Sequence, residues 1–210
     1  HIPTEGRQSG VLVGEDSALH HLRGAQSPRR RFLIDCSHFT ESPGLRLKEM
    51  EDPDKHMAEW GEFTFGDEKI APGSSCQTSI DVGSDPLGQS SEMPVHIIRG
   101  AREGPTLAVT AAIHGDELNG TGIIHHLIYG ADHEAGTKDD HIDAKTMSGT
   151  LILVPVVNVE GMLLQQRHST DGRDINRLFP GKPDGNHSQR LAHALFKQVV
   201  KRADYLIDLH

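Results

Sequence analysis

His114 and Glu117, in the stretch Ala-Ala-Ile-His-Gly-Asp-Glu, and His210, closing Tyr-Leu-Ile-Asp-Leu-His, are the residues whose types and placing could do chemistry. Two imidazoles and one carboxylate make a three-ligand set for a catalytic zinc, with the fourth position left to water. Each follows an apolar, strand-like run, and strand ends are where α/β proteins build their sites. The spacing is not that of the HExxH helix, whose two histidines share one face. Gly115 is expected to let the backbone bend there, so that both side chains converge. A His-x-x-Glu alone is a weak signal, and a plain loop is the competing reading. Two histidines at the ends of separate strands, with a carboxylate beside one, favour the metal site.

A second set of polar residues lies between Arg167 and Gly181, in Arg-His-Ser-Thr-Asp-Gly-Arg-Asp-Ile-Asn-Arg-Leu-Phe-Pro-Gly. Arg167, Asn176 and Arg177 are donors suited to a substrate carboxylate, which a guanidinium grips through two parallel bonds. Asp174 could accept the free ring N–H of a metal-bound histidine. The alternative is an exposed loop in which Arg173 and Arg177 pair with Asp171 and Asp174.

The elements that must position these residues follow from periodicity. Phe63–Phe65 and Gln77–Val82 alternate like half-buried strands on either side of Pro72-Gly73, and Pro94–Ile98 is a third candidate. Thr106–Ile113 and Gly149–Val157 are almost continuously apolar, as strands buried on both faces are. Leu118, Ile123, Ile124, Leu127 and Ile128 suit a helix of about three turns. Residues 130–149 read as a loop, 189–202 as a helix and 204–209 as a last strand. The order predicts an α/β domain with a mixed or largely parallel sheet and flanking helices. Three segments are expected: 1–49 as a disordered or non-native extension, 50–95 as a short β-rich lead-in, and 96–210 as the N-terminal part of the hydrolase domain. Residues 1–49 carry seven basic and six acidic side chains, show no sustained period and precede the first methionine, Met50.

Composition narrows the function classes. The net charge of −9 disfavours a nucleic-acid binder, and Arg29–Arg31 is a short solvated run. No apolar run is long enough for a membrane span and no signal peptide is visible, so a cytoplasmic location without membrane partners is expected. Cys36 and Cys76 match no disulfide or metal pattern.

The combination His-Gly-Asp-Glu-x-Asn-Gly, Asp-Gly-Arg-Asp-Ile-Asn-Arg-Leu-Phe-Pro-Gly and Ile-Asp-Leu-His resembles the succinylglutamate desuccinylase/aspartoacylase family of the zinc carboxypeptidase-like superfamily. The motifs occur in the family's order across about residues 60 to 210. The resemblance implies a carboxypeptidase-like fold and one Zn²⁺ per chain held by His114, Glu117 and His210. It implies Arg167 at the scissile carbonyl, Asn176 and Arg177 on the substrate carboxylate, and Asp174 behind the first histidine. The implied reaction is hydrolysis of the amide bond of a small N-acyl amino acid, with a carboxylate-bearing small molecule as partner and homo-oligomerisation left open. Two alternatives stand beside it: a carboxypeptidase-type peptidase, and an inactive zinc-binding fragment. The family's general-base glutamate falls downstream of the third ligand, so that base and the closing strands of the sheet are expected beyond residue 210.

Overall fold

The computed structural model describes residues 60–84, 88–130 and 142–210, together with the backbone of Leu33–Asp35. Cys36 and the remainder of the expected N-terminal extension lie outside the described residues. The elements are strands β1 (Leu33–Asp35), β2 (Phe63–Phe65), β3 (Glu68–Ile70), β4 (Ser74–Ser84), β5 (Ser90–Arg99), β6 (Arg102–Ala111), β7 (Ser148–Val154) and β8 (Tyr205–Leu209), and helices α1 (Asn119–Tyr129), α2 (Val159–Leu163) and α3 (His187–Leu195). A 3-10 turn covers Ile175–Arg177, and α3 runs on into a π-helical turn, Phe196–Val200.

Six strands form one mixed sheet in the order β1-β8-β6-β7-β5-β4, and β2 and β3 make a separate hairpin. The β1/β8, β8/β6 and β6/β7 pairs are parallel; β7/β5 and β5/β4 are antiparallel. This is the mixed, largely parallel sheet that the apolar runs predict. Strand β5 spans the 95/96 boundary drawn from the sequence, and β4 and β5 extend the main sheet. At the opposite edge, β1 pairs Leu33, Ile34 and Asp35 with Leu206, Ile207 and Asp208.

Alternation along the central strands divides the core between the two faces. Val95, Ile97, Ala108, Ile152, Val154 and Leu206 pack with Leu191, Leu195 and Val199 from the α3 segment. Ile98, Val109, Ala111 and Leu153 pack on the other side with Ile124 and Ile128 of α1. Helix α3 starts two residues before the periodic run predicts, because Asn186 and Gln189 form a reciprocal capping box. At the start of α1, a Cβ at Gly120 would lie 2.6 Å from the Leu209 Cβ and 2.9 Å from the Ala111 Cβ. Glycine thus lets this helix sit directly on the ends of β6 and β8. Among the described residues, no helix is long and apolar enough to cross a membrane.

Candidate metal centre and its surroundings

The site forms where β6, β7 and β8 end on the same edge of the sheet. The run through Thr106–Ile113 stops as a strand at Ala111, since Ala112 turns to a φ of 49°. Val157 and Asn158 donate their N–H groups to the carbonyls of Ala111 and Ala112, so the exits of β6 and β7 stay bound together. Ile113 and His114 follow, both buried, and Glu117 donates its N–H to the His114 carbonyl at 3.1 Å. That one turn brings the two side chains to the same point.

Gly115 is needed for a reason other than the bend expected from the sequence. A Cβ there would lie 2.1 Å from the Gly161 carbonyl carbon and 2.6 Å from the Gln166 carbonyl oxygen. The constraint is close approach of two backbones, not a left-handed conformation. The Gly115 N–H also donates to the Arg167 carbonyl, 3.3 Å away, and the Asn158 side-chain amide points to the same oxygen at 3.5 Å. The 158–167 turn, capped by Asn158 accepting from the Gly161 N–H, therefore anchors Arg167 beside His114.

His114 is 1 % exposed. Its Nε2 lies 3.1 Å from Asp174 Oδ1 and its Nδ1 lies 3.1 Å from Glu117 Oε1. The His210 ring meets it edge to face, with centroids 4.6 Å apart. Ligand atoms of His114, Glu117 and His210 all lie within 4.8 Å of one another. Glu117 Oε1 also accepts from Arg167 Nη1 at 2.7 Å, whereas Oε2 is buried without a hydrogen-bond partner. A buried carboxylate oxygen facing two imidazoles, one of them turned by a carboxylate behind it, fits a divalent cation with tetrahedral N/O preferences.

The Asp174 carboxyl is pushed up by burial, but bonds from His114 and the Asn176 N–H outweigh this and hold it below the usual carboxylate range. Asp174 caps the 3-10 turn that carries Asn176 and Arg177. Asn176 is buried, with an unpartnered Oδ1, and Arg177 is exposed with its Nε 3.9 Å from Asp174 Oδ2. His114, Glu117, His210, Arg167 and Asp174 thus converge, while Asn176 and Arg177 adjoin them through Asp174.

The sequence reading missed Asp208. Its Oδ2 lies 2.8 Å from His210 Nδ1, and its Oδ1 accepts from the buried Thr110 hydroxyl at 2.6 Å. The bond to Asp208 holds the His210 imidazole above its ordinary pKa, against the effect of burial. The two-residue step from Asp208 at the end of an extended run to His210 is a signal that could have revealed the pair.

Residues 103–210, just over half of the chain, match the family model described as the succinylglutamate desuccinylase/aspartoacylase catalytic domain. The chain belongs to this family. Among relatives of this succinylglutamate desuccinylase/aspartoacylase member is N-alpha-acetyl-L-2,4-diaminobutyric acid deacetylase of Halomonas elongata, 31 % identical over 119 residues. That match covers 56 % of this chain and 31 % of the relative. An aspartoacylase family protein from Mesorhizobium loti superposes with a TM-score of 0.53 at 28 % identity, over 67 % of this chain and 41 % of its own. A succinylglutamate desuccinylase/aspartoacylase from Rhodobacter sphaeroides gives 0.53 at 32 %, over 65 % and 39 %. The product-bound ectoine utilization protein EutE (DoeB) from Ruegeria pomeroyi gives 0.53 at 30 %, over 65 % and 39 %. The chain spans about a third of the curated relative and about two fifths of these solved ones.

Proposed function

We propose that this chain carries the metal-binding part of a zinc-dependent amidohydrolase that cleaves the amide bond of small N-acyl amino acids. The observation that carries the reading is the convergence of His114, Glu117 and His210 to within 4.8 Å, with Arg167 beside them. The family membership and the name of the Halomonas elongata deacetylase support amide hydrolysis. When bound, zinc supplies a Lewis acid that makes a nucleophile available at neutral pH.

The roles of the chain's own residues follow from their surroundings. His114 and His210 are each oriented by a carboxylate, Asp174 and Asp208, which fixes ring direction and tautomer. Arg167 has its guanidinium at Glu117 and is half exposed, so it can also donate to an oxyanion forming at the centre. The exposed Arg177, next to the buried Asn176, holds the substrate carboxylate. Asp174 and Asp208 are committed to the two histidines, so neither takes the water's proton. We assign that step to a glutamate in the portion that the relatives carry and this chain does not span.

Calorimetric titration of the metal-free 210-residue protein with zinc tests the reading. One zinc per chain is expected, and His114→Ala or Glu117→Ala should lower affinity at least a hundredfold. Unchanged binding in both variants would remove the shared site.

A further inference from the structure

A groove of about 1150 Å³ opens beside the 158–171 segment. Strand β5 runs antiparallel to β7, so Ser90 and Ser91 lie at the edge where β7 ends and α2 begins. The groove is walled by this end of β5, by α2 with the following Leu164, by Thr170 and Asp171, and by the first turn of α3. None of its lining residues is a candidate metal ligand.

Its polar centre is Glu160. Oε1 accepts from the Ser91 hydroxyl at 3.2 Å and Oε2 from the Thr170 hydroxyl at 2.7 Å, both neutral donors. His187 Nε2 lies 3.3 Å from Oε2 but forms no hydrogen bond, although its side chain is nine-tenths buried. Arg190, the guanidinium in the wall, is committed to the carbonyls of Val82, Ser84 and Gly185. Glu92 and Asp171 also line the groove, so its fixed charges are three carboxylates against that one guanidinium. Val159, Leu163 and Leu164 supply its apolar wall; both leucines are more than half exposed.

From these observations we propose that the groove is a binding site for a small organic cation, a primary ammonium on a short aliphatic stem. An ammonium has three donors and no acceptor. Glu160 retains lone pairs not used by Ser91 and Thr170, so it can accept from an ammonium as well. The stem covers Leu163 and Leu164, which water otherwise wets. The excess of carboxylates concentrates cations at the mouth. The assignment does not depend on the hydrolase reading, since it uses no residue of the metal centre.

The test is an amide-resolved NMR titration of the full 210-residue chain with n-butylammonium chloride at constant ionic strength, with n-butanol as the uncharged counterpart. Saturable shifts confined to Ser91, Glu160, Thr170 and His187 are expected, the same with zinc present or chelated. Butanol should bind at least tenfold more weakly. Glu160→Gln should weaken n-butylammonium at least tenfold. Ser91→Lys, which supplies its own ammonium beside Glu160, should abolish binding. Both variants are to be compared only after their unfolding transitions match the parent's, and either one suffices. Equal binding of amine and alcohol would overturn the proposal. So would shifts centred on His114 and Glu117, or no saturation because His187 as its own cation already satisfies Glu160.

Discussion

Asp208, near the end of β8, and His210, the residue just past that strand, have Oδ2 and Nδ1 separated by 2.8 Å. Thr110, on the neighbouring β6, donates to the other carboxylate oxygen. The histidine is thus steered by a chain of contacts reaching across the parallel β6/β8 pair, in which Thr110 is directly opposite Asp208.

Asp208→Asn should therefore lower zinc affinity by about ten- to a hundredfold while leaving one site per chain, as loss of a partner behind a ligand does. Thr110→Val should act in the same direction and more weakly. Competition against a chromophoric chelator measures both. Affinity unchanged in Asp208→Asn would mean that His210 is oriented by its backbone alone.

Gly115→Ala should destabilise the fold by about 2–3 kcal/mol, the cost of forcing a methyl into packed backbone. The added carbon would meet Gly161 at 2.1 Å, and main-chain atoms cannot swing aside as a side-chain tip can. Urea unfolding of the metal-free protein gives the number. A change under about 0.5 kcal/mol, typical of surface substitutions, would show that the 158–167 turn yields.

The Asp171 carboxylate accepts from the Ser188 N–H and hydroxyl at the start of α3. Burial pushes its pKa up, but these bonds prevail and hold it below the usual carboxylate value. A carboxyl with a lower pKa folded than unfolded adds stability above the unfolded value of about 3.9 and loses it as pH falls through the folded one. Asp171→Ala should cost about 1 kcal/mol at pH 7. Its unfolding midpoint should meet the parent's only in acid, well below pH 4. A constant gap between pH 7 and pH 3 would assign the effect to packing.

A chain starting at Met50 should keep one cooperative unfolding transition and one zinc per chain. Within residues 1–49, the described part adds three residue pairs to the outer edge of β8. A loss above about 2 kcal/mol on deletion would show a packed segment, because surface changes rarely cost so much.

The 210-residue chain should hydrolyse an N-acyl amino acid at least a hundredfold more slowly than a version extended to the relatives' length, since general-base catalysis contributes about 10²–10⁴. In the extended version Arg177→Ala should raise KM and Arg167→Ala should mainly lower kcat. Comparing the free acid with its methyl ester checks the carboxylate grip. Equal cleavage of both would remove Asn176 and Arg177 from that role.

Residues 114, 117 and 210 were legible because each closes an apolar run, and a parallel sheet sends such ends to one edge. The neighbours of Arg167 and Asp174 were legible only through the resemblance, since loop polarity does not say which partner a side chain meets. The antiparallel placing of β5 was not legible: alternation reports which face is buried, not which strand lies alongside. For the same reason Glu160 showed nothing. Its partners Ser91, Thr170 and His187 come from three distant segments, and only the fold puts them together. The bend at Gly115 was legible but the close approach there was not, because a glycine needed for close approach looks in sequence like one needed for a turn.

The register that pairs Ala111 with Leu209 has a consequence for the order of assembly. His114 and His210 are nearly a hundred residues apart along the chain, and bringing such ends together is an entropic cost met before any contact repays it. A one-residue slip of β8 would turn His210 to the opposite face of the sheet. A metal ion bound between the exits of β6 and β8 would therefore act as a late check on alignment: it would close only on chains in which this long-range strand pairing is already correct.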